Sequence, residues 1–374
     1  MISSAIVFSA LELGFIYALV ALALFLSFRV LNIADMTTDG AFTLGCAVSA
    51  TFAVAGHPLL GIPAAMLAGA CAGGITAFLQ TKLNIPSILA GIITNTGLYT
   101  VNLAVMGFSS NVNMMRADTL FSLLQPVLGK TFGKIIPVAL IALLTGLLLA
   151  LFLKTRIGLS IRATGDNPDM VRASSINTGF TVTVGLCISN SLTALSGAVL
   201  AQYQKTADIN LGTGMVIIGL ASLIIGETLM PKGKTWVKIL GAIAGSVVYR
   251  FIIAIALRLD LPSECLKLIS AIIVALAIGL PAIISQALLT VMTYALNLIL
   301  GTIPQVGQNA VTVYGLYYKI QQLIIFAAFG VRDAITPIVS FNFGMRSRTR
   351  VQQGIHWGLG YTAALMLLGY LGVE

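Results

Sequence analysis

Apolar residues run through this chain in long blocks, interrupted by short clusters of Gly, Pro, charged and polar residues. A block of about 20 apolar residues is long enough for a helix to cross a bilayer. The blocks predict spans near residues 5–28, 41–55, 59–80, 86–106, 133–153, 178–201, 212–228, 236–257 and 264–282, with three more near 284–303, 310–331 and 354–372. The segments at 41–55 and 212–228 are short and punctuated by Gly, the pattern of broken or re-entrant helices that line a cavity. The first block, Ile2 to Phe28, exceeds the apolar core of a signal peptide and reads as a retained first span.

Composition turns these blocks into a class. Of 374 residues, 58% are hydrophobic and only 9% charged, where a soluble domain carries about 25% charged residues. The expected fold is an all-α polytopic membrane protein, with about nine spans and then about three more, and no room for a sizeable soluble domain. The excess of 21 Lys and Arg over 12 Asp and Glu is then a topology signal rather than a nucleic-acid footprint. An outside N-terminus collects Arg29, Lys82 and most other basic residues in inner loops, placing residues 154–177 in the cytoplasm. The cysteines Cys46, Cys71, Cys187 and Cys265 lack metal-ligand spacing and read as packing residues.

Two Gly-rich segments echo each other. Ala34-Asp35-Met36, followed by Gly40 and Gly45, resembles Ala207-Asp208-Ile209, followed by Gly212 and Gly219. An odd number of predicted spans separates them, so the copies run in opposite senses, as in inverted repeats that hold a substrate site near their interface. A chance match between Gly-rich apolar segments is the rival account.

The polar stretch Thr155 to Ala173 predicts a short helix capped by Asp166 or Asn167, with Pro168 at its first position and Asp169 in the first turn. Within it, Arg162-Ala163-Thr164-Gly165-Asp166-Asn167-Pro168 resembles the coupling-helix loop of ABC permeases of the branched-chain amino acid and ribose importer class. Asp39-Gly40-Ala41-Phe42-Thr43-Leu44-Gly45, Leu195 to Gln204 and Gly219 to Glu227 extend the resemblance over residues 1–280. It implies a permease with inverted-repeat architecture, two permease chains (a homodimer), cytoplasmic ATPases docked on residues 160–175, and an extracytoplasmic binding protein that delivers a small, amino-acid-like solute. The implied location is the bacterial inner membrane.

This chain carries no ATPase motif of its own. Gly129-Lys130-Thr131 and Gly233-Lys234-Thr235 resemble the end of a phosphate loop, but Leu124 and Thr228 stand where its leading Gly is needed. No bound cofactor is expected, ATP entering only through a partner subunit. His57 and His356 lack an acid and nucleophile around them, so no chemical enzyme is expected. Ionisable groups inside spans are costly, which makes Glu12, Glu227 and Arg250 functional candidates, with Asp39 and Asp208 at the mouths of the two short segments. Arg250 is expected to pair with Glu227 or Glu12. The candidate pathway adds Gly40, Asn95 and Asn190, while Asn102 either lines it or joins helices.

From Pro281 the character changes. Pro281 to Thr293, Tyr314 to Gln322 and Pro337 to Arg346 are similar to the multidrug and toxic compound extrusion family. That resemblance covers residues 281–374, too few spans for independent efflux. The accounts left are a fused or misassembled reading frame, which is favoured, or an accessory scaffold segment. Ion-coupled export and a purely structural subunit are the rival functions.

Overall fold

A computed structural model of the chain describes residues 4–129, 132–230 and 234–258, then 294–299, 311–317, 348–371 and a few single positions between these. The chain divides into two compact units, Met1–Ile278 and Gly279–Glu374.

The first unit is built on a long central helix. In chain order it contains α1 (Ser4–Leu24), continued by a π-helical turn at Phe25–Val30, then α2 (Thr38–Val54), α3 (Pro58–Thr81), α4 (Ser87–Val105), α5 (Leu120–Leu128) and α6 (Phe132–Phe152). Two short helices follow, α7 (Arg156–Asp166) and α8 (Pro168–Ala173), and then α9 (Thr178–Gln204), α10 (Met215–Leu229) and α11 (Thr235–Arg258). Six described helical segments are long and apolar enough to cross a membrane: Ile6–Val30, Pro58–Thr81, Ser87–Val105, Phe132–Phe152, Thr178–Gln204 and Thr235–Ala256. The all-α expectation needs one small addition. Asn111–Asn113 (β1) and Thr206–Asp208 (β2) pair antiparallel, tying the loop after α4 to the loop after α9.

Helix α9 is the axis against which α1, α2 and α3 pack. Without a hydrophobic driving force between helices in lipid, small residues and interhelical hydrogen bonds decide such contacts. At Gly45 a Cβ would strike the Ala194 carbonyl, and at Gly197 it would strike the Phe42 carbonyl, so α2 and α9 touch backbone to backbone. Buried hydroxyls then fasten α1, with Ser189 Oγ donating to the Ala23 carbonyl at 2.9 Å, Ser196 Oγ to Ile16 at 2.7 Å and, from α11, Ser246 Oγ to Gly14 at 2.8 Å. Gln202 closes the far end, donating to Ser49 Oγ and the Pro58 carbonyl while accepting from Leu120 N–H.

These contacts also fix helix directions. Ala23 lies opposite Ser189 and Ile16 opposite Ser196, so α1 and α9 are antiparallel. Helix α2 runs with α9, because Cys46 meets Gly197 and Ser49 meets Ala198. Helix α10 runs with α1, since its Gly219 abuts Val20 and Leu24 while its Glu227 reaches Arg29. The two short helices, α2 and α10, are therefore opposed. The loop leading into α2 is buried halfway along α9, where Asn190 Nδ2 donates to Asp35 Oδ2 at 2.7 Å and Thr37 N–H donates to Asp35 Oδ1 at 2.9 Å.

In the second unit, the predicted span at 354–372 falls on α12 (Arg348–Leu371). This helix is not among the span-competent ones, because Gly, His and Tyr dilute its apolar run. The predicted spans at 264–282, 284–303 and 310–331 lie wholly or partly outside the described residues.

Candidate functional site

The N-termini of the two opposed short helices meet at Asp39. This residue sits in the first turn of α2, yet its carboxylate crosses to α10, where Oδ2 accepts from Gly214 N–H at 2.9 Å and Oδ1 from Val216 N–H at 3.0 Å. Helix α10 has no side-chain cap of its own: its N-cap is Gly214, at φ 88°, a backbone conformation suited to glycine. An acid borrowed from α2 thus satisfies orphan N–H groups and faces the positive end of the α10 dipole. One turn further along α2, Thr43 Oγ1 accepts from Gly212 N–H at 3.1 Å. A Cβ at Gly212 would collide with the Asp39 carbonyl, so the junction requires glycine there.

Beside this junction is a cavity of about 320 Å³ lined by Asp39, Gly40, Thr43, Asn95, Thr96, Tyr99, Asn102, Ile209, Asn210 and Thr213. Apart from Asp39 its polar lining is uncharged, made of amides and hydroxyls. Asn102 Nδ2 donates to the Gly40 carbonyl at 3.2 Å, while its buried Oδ1 has no hydrogen-bond partner. The cavity lies on the β1–β2 side, since α4 leads from Asn95 towards β1 and Ile209 directly follows β2.

Of the candidate pathway residues, Asp39, Gly40 and Asn95 come together at this cavity, and the others do not. Asn190 is committed to Asp35 and to the Leu186 carbonyl. Asp208 ends β2 and accepts from Asn210 N–H at 2.8 Å. Glu227 is ion-paired with Arg29 at 2.6 Å, and Arg250 lies 3.7 Å from the centre of the Tyr17 ring. The expected pairing of Arg250 with Glu227 or Glu12 is not what forms. Lys238 shares a cavity with Arg29, and Arg250 lies twelve residues further along α11, about 18 Å at the helical rise, out of reach of a carboxylate held at Arg29. Glu12 turns to α9 instead, accepting from Tyr203 Oη at 2.6 Å. The sequence reading missed Thr43, Thr96, Tyr99, Asn210 and Thr213. A signal for Thr43 existed, since it follows Asp39 at i+4 on one helix face.

On the opposite side, α7 and α8 form the polar loop. Asn167 Oδ1 caps α8 by accepting from Asp169 and Met170 N–H, both at 3.1 Å, with Pro168 at the first helical position. Thr155 caps α7 through Gly158 N–H. Gly158, Ile161 and Thr164 form the buried face of α7, and Thr164 Oγ1 lies 2.8 Å from Thr181 Oγ1 on α9. A Cβ at Gly165 would strike the Val30 carbonyl at the end of the π turn. Gly165 therefore faces the core, Ala163 is half-buried, and only Arg162 and Asp166 of the seven loop candidates turn their charges into a cavity. Substituting Gly165 disturbs packing before it could report on docking.

An all-α bundle with two opposed short helices meeting at a polar cavity, and a capped two-helix loop on the other face, defines a multi-pass membrane permease. Residues 6–276 match the family described as branched-chain amino acid transport system / permease component, and the chain belongs to it, an inner-membrane permease of the ABC-importer type. Residues 281–374 match the MatE family. The chain is 36% identical to the tyrosine transport system permease protein of Clostridioides difficile over 72% of this chain and 88% of that one. It is 32% identical to an uncharacterized protein of Rickettsia prowazekii, over 73% and 97% of the two chains. With the ribose import permease protein of Haemophilus influenzae it shares 22% identity over 65% and 75%. No solved structure matches the chain.

Proposed function

We propose that the chain is the permease subunit of an ATP-driven importer for a small amino-acid-like solute, with ATP bound and hydrolysed by a separate cytoplasmic subunit. The observation that carries this reading is the junction at Asp39, where two opposed half-helices abut a polar cavity of about 320 Å³. That volume is at the lower end of small-molecule sites. Its uncharged amides and hydroxyls suit a zwitterion or neutral polar solute, in keeping with a tyrosine permease among the relatives.

The reading assigns the pathway to Asp39, Gly40, Thr43, Asn95, Asn102 and Asn210, and ATPase docking to the outward side of α7 and α8, with Arg162 and Asp166 at its edge. Asn190, Asp208, Glu227 and Arg250 serve the scaffold. A second copy of the chain completes the pathway, and the solute-binding protein approaches from the β1–β2 side. Residues 1–280 form the permease domain and residues 281–374 a partial MatE-like segment joined to it.

Reconstitution tests this directly. Proteoliposomes holding the full chain, a copurifying ATPase and a binding protein are expected to accumulate labelled tyrosine or another amino acid only with ATP. The MatE match favours a second reading, ion-coupled export. Gradient-driven transport by the chain alone, without any ATPase, would establish that alternative and sink the first.

A further inference from the structure

The face that carries α7 holds a second, larger cavity, of about 540 Å³, lined by Phe25, Arg29, Val30, Arg162, Asp166, Lys234, Thr235 and Lys238. Its four cations come from three places far apart in sequence: the π turn, α7 and the start of α11. Orientation in the membrane requires only that basic residues lie on the inner side; it does not require them to converge. Like charges brought to one concavity repel each other unless an anion sits among them.

Arg29 is partly answered by Glu227. Among the described residues, Arg162, Lys234 and Lys238 have no carboxylate within ion-pairing distance. Lys238 is moreover half-buried, which withdraws its charge from water without supplying a partner. Asp166 alone opposes the three, leaving a net excess of two positive charges. One wall, Phe25 and Val30, is apolar. Trp236, half-exposed two residues after Lys234, is of the residue type enriched at headgroup depth.

We infer that this cavity binds a phosphate-bearing anion, a phospholipid headgroup or a free phosphate, held by Arg162, Lys234 and Lys238 between α1, α7 and α11. The bound phosphate bridges α7 to the two spanning helices beside it, so its occupancy stiffens the loop at its base.

The test uses the full chain in nanodiscs of phosphatidylcholine, with and without phosphatidylglycerol, reading retained lipid by native mass spectrometry. A basic residue near an anionic surface contributes about 1 kcal/mol, or about fivefold in affinity. The K234Q/K238Q variant is therefore expected to retain phosphatidylglycerol about 25-fold less well than the unaltered chain, while Lys82→Gln, in a loop outside the cavity, changes retention less than twofold. Displacement of the lipid by millimolar inorganic phosphate identifies a free phosphate as the natural source; lipid that phosphate does not displace identifies the headgroup. Asp166→Asn serves if the double variant fails to fold, and is expected to raise retention about fivefold. Equal retention in all variants, or an equal loss in Lys82→Gln, overturns the inference. So does loss of a copurifying ATPase from K234Q/K238Q with anion binding unchanged, since the cavity would then receive an acidic side chain of that partner.

Discussion

Replacing Asp39 tests whether one carboxylate holds the two half-helices together. In the structure Asp39 accepts from Gly214 N–H at 2.9 Å and from Val216 N–H at 3.0 Å. Hydrogen bonds to a charged group contribute about 1.5–3 kcal/mol each, and α10 has no other side-chain cap to take over. Asp39→Ala is therefore expected to cost about 3 kcal/mol at the lower bound. Asp39→Asn keeps one oxygen acceptor but loses the charge and the second acceptor, so its cost should be about 2 kcal/mol. Unfolding of the purified full chain in mixed micelles, titrated with sodium dodecyl sulfate, reads both differences on one scale. A Thr43→Val control removes the neighbouring acceptor for Gly212 N–H and should cost about 1 kcal/mol. The ranking Ala, then Asn, then Val in descending cost is the signature of a charged cap. If Asp39→Ala and Asp39→Asn both unfold within about 0.5 kcal/mol of the unaltered chain, the range of a neutral surface change, the carboxylate does not hold α10 and the junction argument fails.

Other perturbations follow from the same contacts. Gly165→Ala drives a methyl group into the Val30 carbonyl and should destabilise by about 1–3 kcal/mol, whereas the exposed Arg162→Ala should stay within about 0.5 kcal/mol and act instead on anion retention and ATPase copurification. Thermal unfolding beside a pull-down separates the two. Asn190→Leu removes a donor from the buried Asp35 carboxylate and should cost about 1–3 kcal/mol; a double-mutant cycle with Asp35→Asn should show that much of this cost is shared, and independent additive costs would refute the pairing. Tyr17→Phe keeps the ring under Arg250 and should change little, while Tyr17→Leu should lose about 1–2 kcal/mol with Arg250 present and less in an Arg250→Met background.

What the sequence made legible was whatever depends on local pattern. The breaks that isolate α2 and α10 are written in their Gly and polar punctuation, and Asn167-Pro168 announces the α8 cap because a cap is an interaction within four residues. Asp39 and Asn95 stood out as polar residues in apolar surroundings, and they do share a cavity. Partner choice was not legible. Charge alone points Arg250 to a carboxylate, but the depth of each residue depends on where helices begin and how they cross. That depth places Glu227 beside Arg29 and leaves an aromatic face beside Arg250. The three-residue β1–β2 ladder escaped notice for the same reason, since its strands lie about 95 residues apart and neither has enough length to show alternation.

The contacts of α10 join the two faces of the permease. Its C-terminal Glu227 grips Arg29 on the π turn, and the next residue of that turn, Val30, is the one Gly165 of α7 touches. At the other end, Gly214 and Val216 are held by Asp39 at the solute-sized cavity. Between these ends lies a helix of 15 residues, about 22 Å long, too short to span a bilayer by itself. Helix α7 therefore meets α1 at a segment wound as a π turn, a form frequent at functional sites. The Arg29–Glu227 ion pair joins that turn to the base of α10. The short helix is held at its ends by charge and along its length by small residues, Gly219 lying against α1 and Gly226, in its last turn, against α11. Under the proposed ATP-driven reading, a tilt of this helix is the motion expected to open or close the junction at Asp39.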